Sequence, residues 1–260
     1  MIQKIESVQN ETVKRACKLA VSAKFRQAEQ AFFLEGARLC CDAAMSGAAV
    51  LQCFVTEDAL RKESDRLSVL LESAKQTALI SDAVAHKLSQ TMSPQGVFCV
   101  CAMDQRQPAI DESGVYLALD HIQDPANLGA MIRTAEALGL NGAILCGCCD
   151  VYNPKAQRAA MGSLLRLPLV LTDDLAQYLS CRKDERMRVL ATTPDASAQK
   201  LTQLPLSGGV IAVIGNEANG VSLDVFAVCE KVTIPMNGRA ESLNASMAAA
   251  ITMWELVRTR

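Results

Sequence analysis

Val210-Ile211-Ala212-Val213-Ile214 is an unbroken aliphatic run that ends abruptly at Gly215-Asn216-Glu217. A strand that is apolar on both faces can meet water on neither. That is the situation of a central strand in a parallel sheet covered by helices. Around it the second half alternates. Strands are expected at Val115–Leu119, Gly142–Cys146, Pro168–Leu171, Met187–Ala191 and Lys231–Ile234. Helices are expected at Asn127–Leu138, from Pro154, at Leu175–Cys181, at Leu223–Val228 and at Leu243–Val257. Such alternation specifies an α/β fold, with its chemistry in the loops that leave the strands.

The first half has the same grammar on a smaller scale. Helical spacing covers Glu11–Ala23, Gly36–Met45, Leu60–Leu71 and Asp82–Ser89, and strand-like runs cover Ala31–Glu35, Val50–Val55, Leu79-Ile80 and Gly96–Ala102. The polar stretch Met103–Gly114, with a proline and a glycine, separates the halves. The expected organisation is therefore a small α/β domain at 1–107 and a larger one at 108–260.

Composition removes several classes. Half of the chain is apolar but only 4% is aromatic, so aliphatic side chains and alanine must fill the core. No run reaches the ~18 apolar residues of a membrane span. No long apolar stretch follows Met1-Ile2-Gln3-Lys4, so a cytoplasmic protein without a secretory signal or membrane partner is expected. Eleven cysteines, an odd count in a long chain, argue against a disulfide framework. Cys146 and Cys149 make a single C-x-x-C with no second pair at zinc spacing, so no metal site is expected. The net charge is −2, yet residues 1–26 carry six cations against two anions. That end suits phosphate contacts, or simply a solvated helix face.

Three polar islands stand out in the apolar second half: Asn127-Leu128-Gly129 with Arg133, Gly215–Gly220, and Ser242-Leu243-Asn244-Ala245-Ser246. There is neither a G-x-G-x-x-G after a strand nor a G-x-x-x-x-G-K-[ST], so the usual nucleotide loops are missing. Main-chain amides at a helix start beside apolar Met236 and Leu243 suit a ligand with an adenine, a sugar and an amino-acid tail. Taken singly, Asn127 and Ser242 read as helix N-caps, Glu217 as a turn cap and Arg133 as a surface cation. His121 and His86 read as a loop and a helix-surface histidine. The joint occurrence of the islands overrides the single readings for Arg133, Asn127 and Glu217.

Together the motifs Asp124–Ala135, Asn153–Ser163, Val213–Ser222 and Ile234–Ala250 resemble the SpoU (TrmH) family of RNA ribose 2′-O-methyltransferases, within the SPOUT superfamily. Upstream, Asn10, Lys14, Phe25-Arg26 and Phe32–Arg38 are similar to the substrate-binding domain that often precedes that catalytic domain. The resemblance implies an α/β fold: a ribosomal-protein-like RNA-binding domain before a parallel sheet closed by a trefoil knot. It implies S-adenosylmethionine held by Thr192, Gly215, Glu217, Gly220, Ile234, Met236, Ser242 and Leu243, and a homodimer with the site near its interface. It assigns catalysis to Arg133, Asn127, Glu217 and Asn244, and RNA contacts to Lys14, Arg15, Arg26, Arg38 and Arg133.

The implied reaction is methyl transfer to a ribose 2′-hydroxyl of structured RNA, with ribosomal RNA as the expected substrate. A guanidinium is a poor base, its pKa lying above ~12. Arg133 is therefore expected to stabilise alkoxide charge and grip the neighbouring phosphate. The alternatives are a transfer-RNA methyltransferase, a non-catalytic RNA-binding or ribosome-assembly factor of the same fold, and a small-molecule α/β enzyme.

Overall fold

The structure is a computed structural model and describes residues 3–104, 107–184, 187–205 and 207–258. It divides into two compact units. The first comprises Met1–Gln105 with Tyr152–Gln157, the second Arg106–Val151 with Arg158–Arg260.

The first unit runs β1 (Gln3–Ile5), α1 (Glu11–Val21), α2 (Ala23–Glu29), β2 (Ala31–Glu35), α3 (Ala37–Met45), β3 (Val50–Thr56), α4 (Glu57–Ser73), β4 (Thr77–Ile80), α5 (Asp82–Leu88) and β5 (Val97–Ala102). Its five strands lie in the order β1-β4-β3-β5-β2, with β5 antiparallel to both neighbours. The expected helix Glu11–Ala23 ends at Val21, and a second helix that the spacing does not reveal begins at Ala23. Ser22 is extended, and its Oγ accepts from Phe25 N at 3.2 Å, which caps α2 as α1 ends. Arg26 falls on the inner face of α2. It is 2% exposed and its guanidinium donates to the Leu19 carbonyl. The sequence expectation that Arg26 meets RNA is corrected here, because the group is spent inside the core. Phe33, Phe54 and Phe98 fill that core. Phe32 stacks on Tyr152 at 4.3 Å between ring centres.

The second unit runs β6 (Val115–Asp120), α6 (Pro125–Ala137), β7 (Gly142–Cys146), α7 (Pro154–Ala160, of which only the part from Arg158 belongs to this unit), β8 (Leu169–Thr172), α8 (Leu175–Asp184), β9 (Arg188–Thr192), β10 (Gln199–Lys200), β11 (Val210–Ile214), α9 (Leu223–Val228), β12 (Glu230–Thr233) and α10 (Ala245–Val257). The strands form one parallel sheet in the order β10-β12-β9-β11-β6-β7-β8. All five residues of β11 are buried between β6 and β9, as its unbroken aliphatic run requires. From β6 the chain builds outward through β7 and β8, then crosses to β9 on the far side of β11. The strand order therefore reverses between β6 and β11, and an open α/β sheet leaves its crevice outside the carboxyl ends at such a point. The parallel register pairs Ile214 with Leu119, so Gly215 and Asp120 lead out of the sheet side by side.

Candidate active site

The loops leaving β6 and β11 build the site. Asp124 caps α6, its Oδ1 accepting from Ala126 N at 2.7 Å, with Pro125 in the first turn. Asn127 is therefore inside the helix and not its cap. Its Nδ2 donates to Glu217 Oε1 at 3.1 Å. Glu217 also accepts from the main-chain N–H groups of Gln123 at 3.3 Å and Asp124 at 3.2 Å. Burial raises the energy of the charged carboxylate, but the bonds from Asn127, Gln123 and Asp124 outweigh it and hold the carboxyl below its ordinary value.

The loop that carries Glu217 is a tight turn. Asn216 and Gly220 exchange main-chain hydrogen bonds of 2.9 Å each, and Asn216 Oδ1 accepts from Ala218 N and Asn219 N. Gly215 is required by close approach and not by flexibility. A Cβ there would lie 2.1 Å from the Gly220 carbonyl carbon and the Val221 nitrogen. Gly220 has φ +70°, and a Cβ on it would meet nothing within 4 Å.

Beside this turn lies a cavity of about 440 Å³. Thr192, Gly215, Glu217, Gly220, Ile234, Met236, Ser242 and Leu243 all line it. Phe226, Thr193, Pro194 and Glu241 are among the further lining residues that sequence reasoning missed. Phe226 belongs to α9, and no sequence pattern marks a helix residue as facing a cavity. Ser242 is not the N-cap of α10. Asn244 is, its Oδ1 accepting from Ser246 N at 2.9 Å and Met247 N at 3.4 Å. The Nδ2 of Asn244 reaches Asn127 Oδ1 at 3.4 Å. Asn244, Asn127 and Glu217 thus form a chain from α10 through α6 to the turn.

Arg133 is not brought to the cavity wall. It lies on the exposed side of α6, six residues beyond Asn127 or about 9 Å along the axis. Of the other cations expected at RNA, Lys14 pairs with Glu11 at 2.9 Å and Arg15 with Glu29 at 2.7 Å, both near the surface. Arg38 is exposed at the start of α3. Cys148 and Cys149 lie near the turn. Burial pushes their thiols up to about 12 and about 11. Among the described residues no group of His, Cys, Asp and Glu is arranged to hold a metal ion.

The SpoU rRNA Methylase family matches residues 114–254, more than half of the chain, and the MRM3-like substrate binding domain matches residues 10–99. The chain belongs to the SpoU rRNA methylase family. The 23S rRNA (guanosine(2553)-2′-O)-methyltransferase RlmP of Bacillus subtilis is 34% identical to this family member over 98% of the chain and 99% of its own length. The 23S rRNA (uridine(2479)-2′-O)-methyltransferase of Streptomyces viridochromogenes is 31% identical over 72% of the chain and 68% of its own. Among solved structures, the AdoMet-bound rRNA methyltransferase from Sinorhizobium meliloti superposes with a TM-score of 0.88 at 25% identity, covering 99% of this chain and 98% of that one. The Bacillus subtilis and Sinorhizobium meliloti proteins match over both units, so the N-terminal unit is part of what is shared.

Proposed function

We propose that the protein transfers a methyl group from S-adenosylmethionine to a ribose 2′-hydroxyl of ribosomal RNA. The observation that carries this is the cavity at the carboxyl ends of β9, β11 and β12, joined through Glu217 and Asn127 to the helix that bears Arg133. The cavity suits the cofactor. Gly220 leaves bare main chain facing open space, while Ile234, Met236 and Leu243 offer aliphatic walls to a purine. The cofactor, when bound, supplies the methyl group as a sulfonium, already a good leaving group. The residues of this chain do the rest. Glu217 fixes the turn against α6, Asn244 and Asn127 hold the two helix starts together, and Ser242 and Thr192 close the cavity. Arg133 stabilises the developing alkoxide and grips the adjacent phosphate, which accepts the proton. Arg38, Lys14 and Arg15 on the N-terminal unit add phosphate contacts.

We further infer that the C-terminal segment is threaded as a trefoil knot and that the protein works as a cytoplasmic homodimer. Two observations support the threading: α10 packs on α6, β11 and β6 although it follows β12 on the far side of β9, and the main chain of the 215–221 turn closes on itself at Gly215. The dimer is supported by the exposed apolar stripe Met247, Ile251 and Trp254 on α10, a helix that packs on α6. A second copy covering this face places Arg133 at a subunit boundary and brings the active site together there.

The test is transfer of labelled methyl from S-adenosylmethionine to protein-free large-subunit rRNA, followed by digestion to nucleosides. The expected product is one 2′-O-methylnucleoside. Arg133→Ala is expected to keep cofactor binding and lose turnover. Label on a base, or binding of RNA without transfer, overturns the reading.

A further inference from the structure

The segments 120–127 and 215–222 are tied at more points than Glu217 explains. Asp120 ends β6 and is 1% exposed, and a carboxylate buried at an apolar strand end is costly unless its oxygens are satisfied. Its Oδ2 accepts from both Ser222 N and Ser222 Oγ at 2.8 Å, and its Oδ1 lies 2.6 Å from His121 Nδ1. At the other end of the turn, Asn216 Nδ2 donates to the His121 carbonyl at 2.8 Å. His121 stands at φ +57°, a left-handed conformation uncommon for any residue but glycine. Its ring lies where Gly147 has no side chain, since a Cβ there would be 2.4 Å from the imidazole. Both ends of the turn are thus clamped to the end of β6, and Glu217 between them clamps the start of α6.

We infer that Asp120 and Ser222 are positioning residues of a clasp that makes the cofactor turn and α6 one ordering unit, so that filling the cofactor cavity raises the affinity for RNA. This rests on the methyltransferase reading and deepens it. Residues 217–220 are exposed and are held by hydrogen bonds, not by packing. Segments of that kind open at low cost. A ligand seated against Gly215 and Gly220 selects the closed turn. The closed turn fixes Asp120, Ser222, Glu217 and Asn127, and with them the helix that carries Arg133. The second ligand then meets a segment already ordered, and linkage makes the effect reciprocal.

The test measures dissociation constants for in-vitro-transcribed large-subunit rRNA with and without saturating S-adenosylhomocysteine, which permits no turnover. Wild type, Ser222→Ala and Ser222→Thr are compared, with Asp120→Asn as a second route to the same break. In the wild type the ligand is expected to tighten RNA binding about fivefold or more. Ser222→Ala is expected to bring that ratio close to one, and Ser222→Thr, which keeps the hydroxyl, to restore most of it. A merely structural role would lower the melting temperature and weaken both RNA constants together, leaving the ratio intact. That result, or a wild-type ratio of one, overturns the clasp. Methyl transfer by the wild type separates the two failures: transfer with a ratio of one sinks the clasp alone, whereas absence of both transfer and cofactor binding sinks the reading beneath it.

Discussion

The carboxylate of Glu217 serves three donors from another segment, and its charge is what makes it fit all of them. Its ordinary pKa of 4.5 is lowered in the fold, so the charged form is the one the fold favours. The sign follows from linkage: the contribution is complete above 4.5 and is lost as the pH falls through the lower folded value. Cofactor affinity is therefore expected to be flat with respect to this group between about pH 6 and pH 8, and to fall only below 4.5. Glu217→Gln should remove that acid limb. Its amide oxygen can still accept from Asn127 and Asp124, but its NH₂ end then faces the N–H group of Gln123. Turnover is expected to drop about 10²-fold from misplacement of α6, in a pH series at saturating cofactor. A flat turnover in the variant would show that the tie is ornamental. Arg26 makes the opposite point about charge. In the sequence it is one more cation of a basic stretch, whereas in the fold it is a buried donor to Leu19.

At the level of elements, Gly215 shows why the cofactor turn admits little variation. The turn reverses so tightly that the main chain of Gly220 and Val221 occupies the place of a side chain. Gly215→Ala is expected to cost about 1–3 kcal/mol of stability, as an overpacked site does, and to weaken cofactor binding by more than tenfold. Thermal melts and calorimetry with S-adenosylmethionine check both. The elements themselves were largely legible. β11 is announced by five aliphatic residues in a row and Pro154 marks a helix start, whereas α6 begins at Pro125, two residues before the expected Asn127. Two kinds of detail were not. The helix α2 depends on Ser22 capping it directly after α1, and the apolar spacing of Val13, Cys17 and Ala20 ends before it. Asn127 and Ser242 both have the chemistry of a cap, but Asp124 and Asn244 take that role. Composition cannot choose between neighbouring cap-competent residues, because the choice is set by where the preceding strand ends. The cavity walls from the third motif were legible, since they are contiguous in the chain. The Asp120–Ser222 pair was not, because 102 positions separate its partners.

For the whole molecule, α10 poses the remaining question. Ala249, Thr252, Met253 and Leu256 face inward, while Met247, Ile251 and Trp254 recur at i, i+4 and i+7 with 55%, 43% and 57% of their surface in water. Isolated exposed apolar residues are ordinary, but an aligned stripe with an aromatic at one end is the composition of an interface centre. The chain has a single tryptophan, and it lies on this stripe. Its fluorescence is therefore a direct reading of whether the face is covered. If a second copy covers it, the emission maximum at micromolar concentration is that of a shielded indole and moves to the red on dilution through the dimer dissociation constant. Trp254→Glu places a charge on the stripe and, if a second copy covers that face, should leave a monomer in sedimentation equilibrium. That monomer is expected to bind cofactor, because the cavity is lined from one chain, and to lose methyl transfer, because Arg133 lies on the uncovered side of α6. A monomeric variant with full turnover would show that Arg133 reaches the reacting ribose without a second subunit, and an emission maximum independent of concentration would show that the stripe is bare.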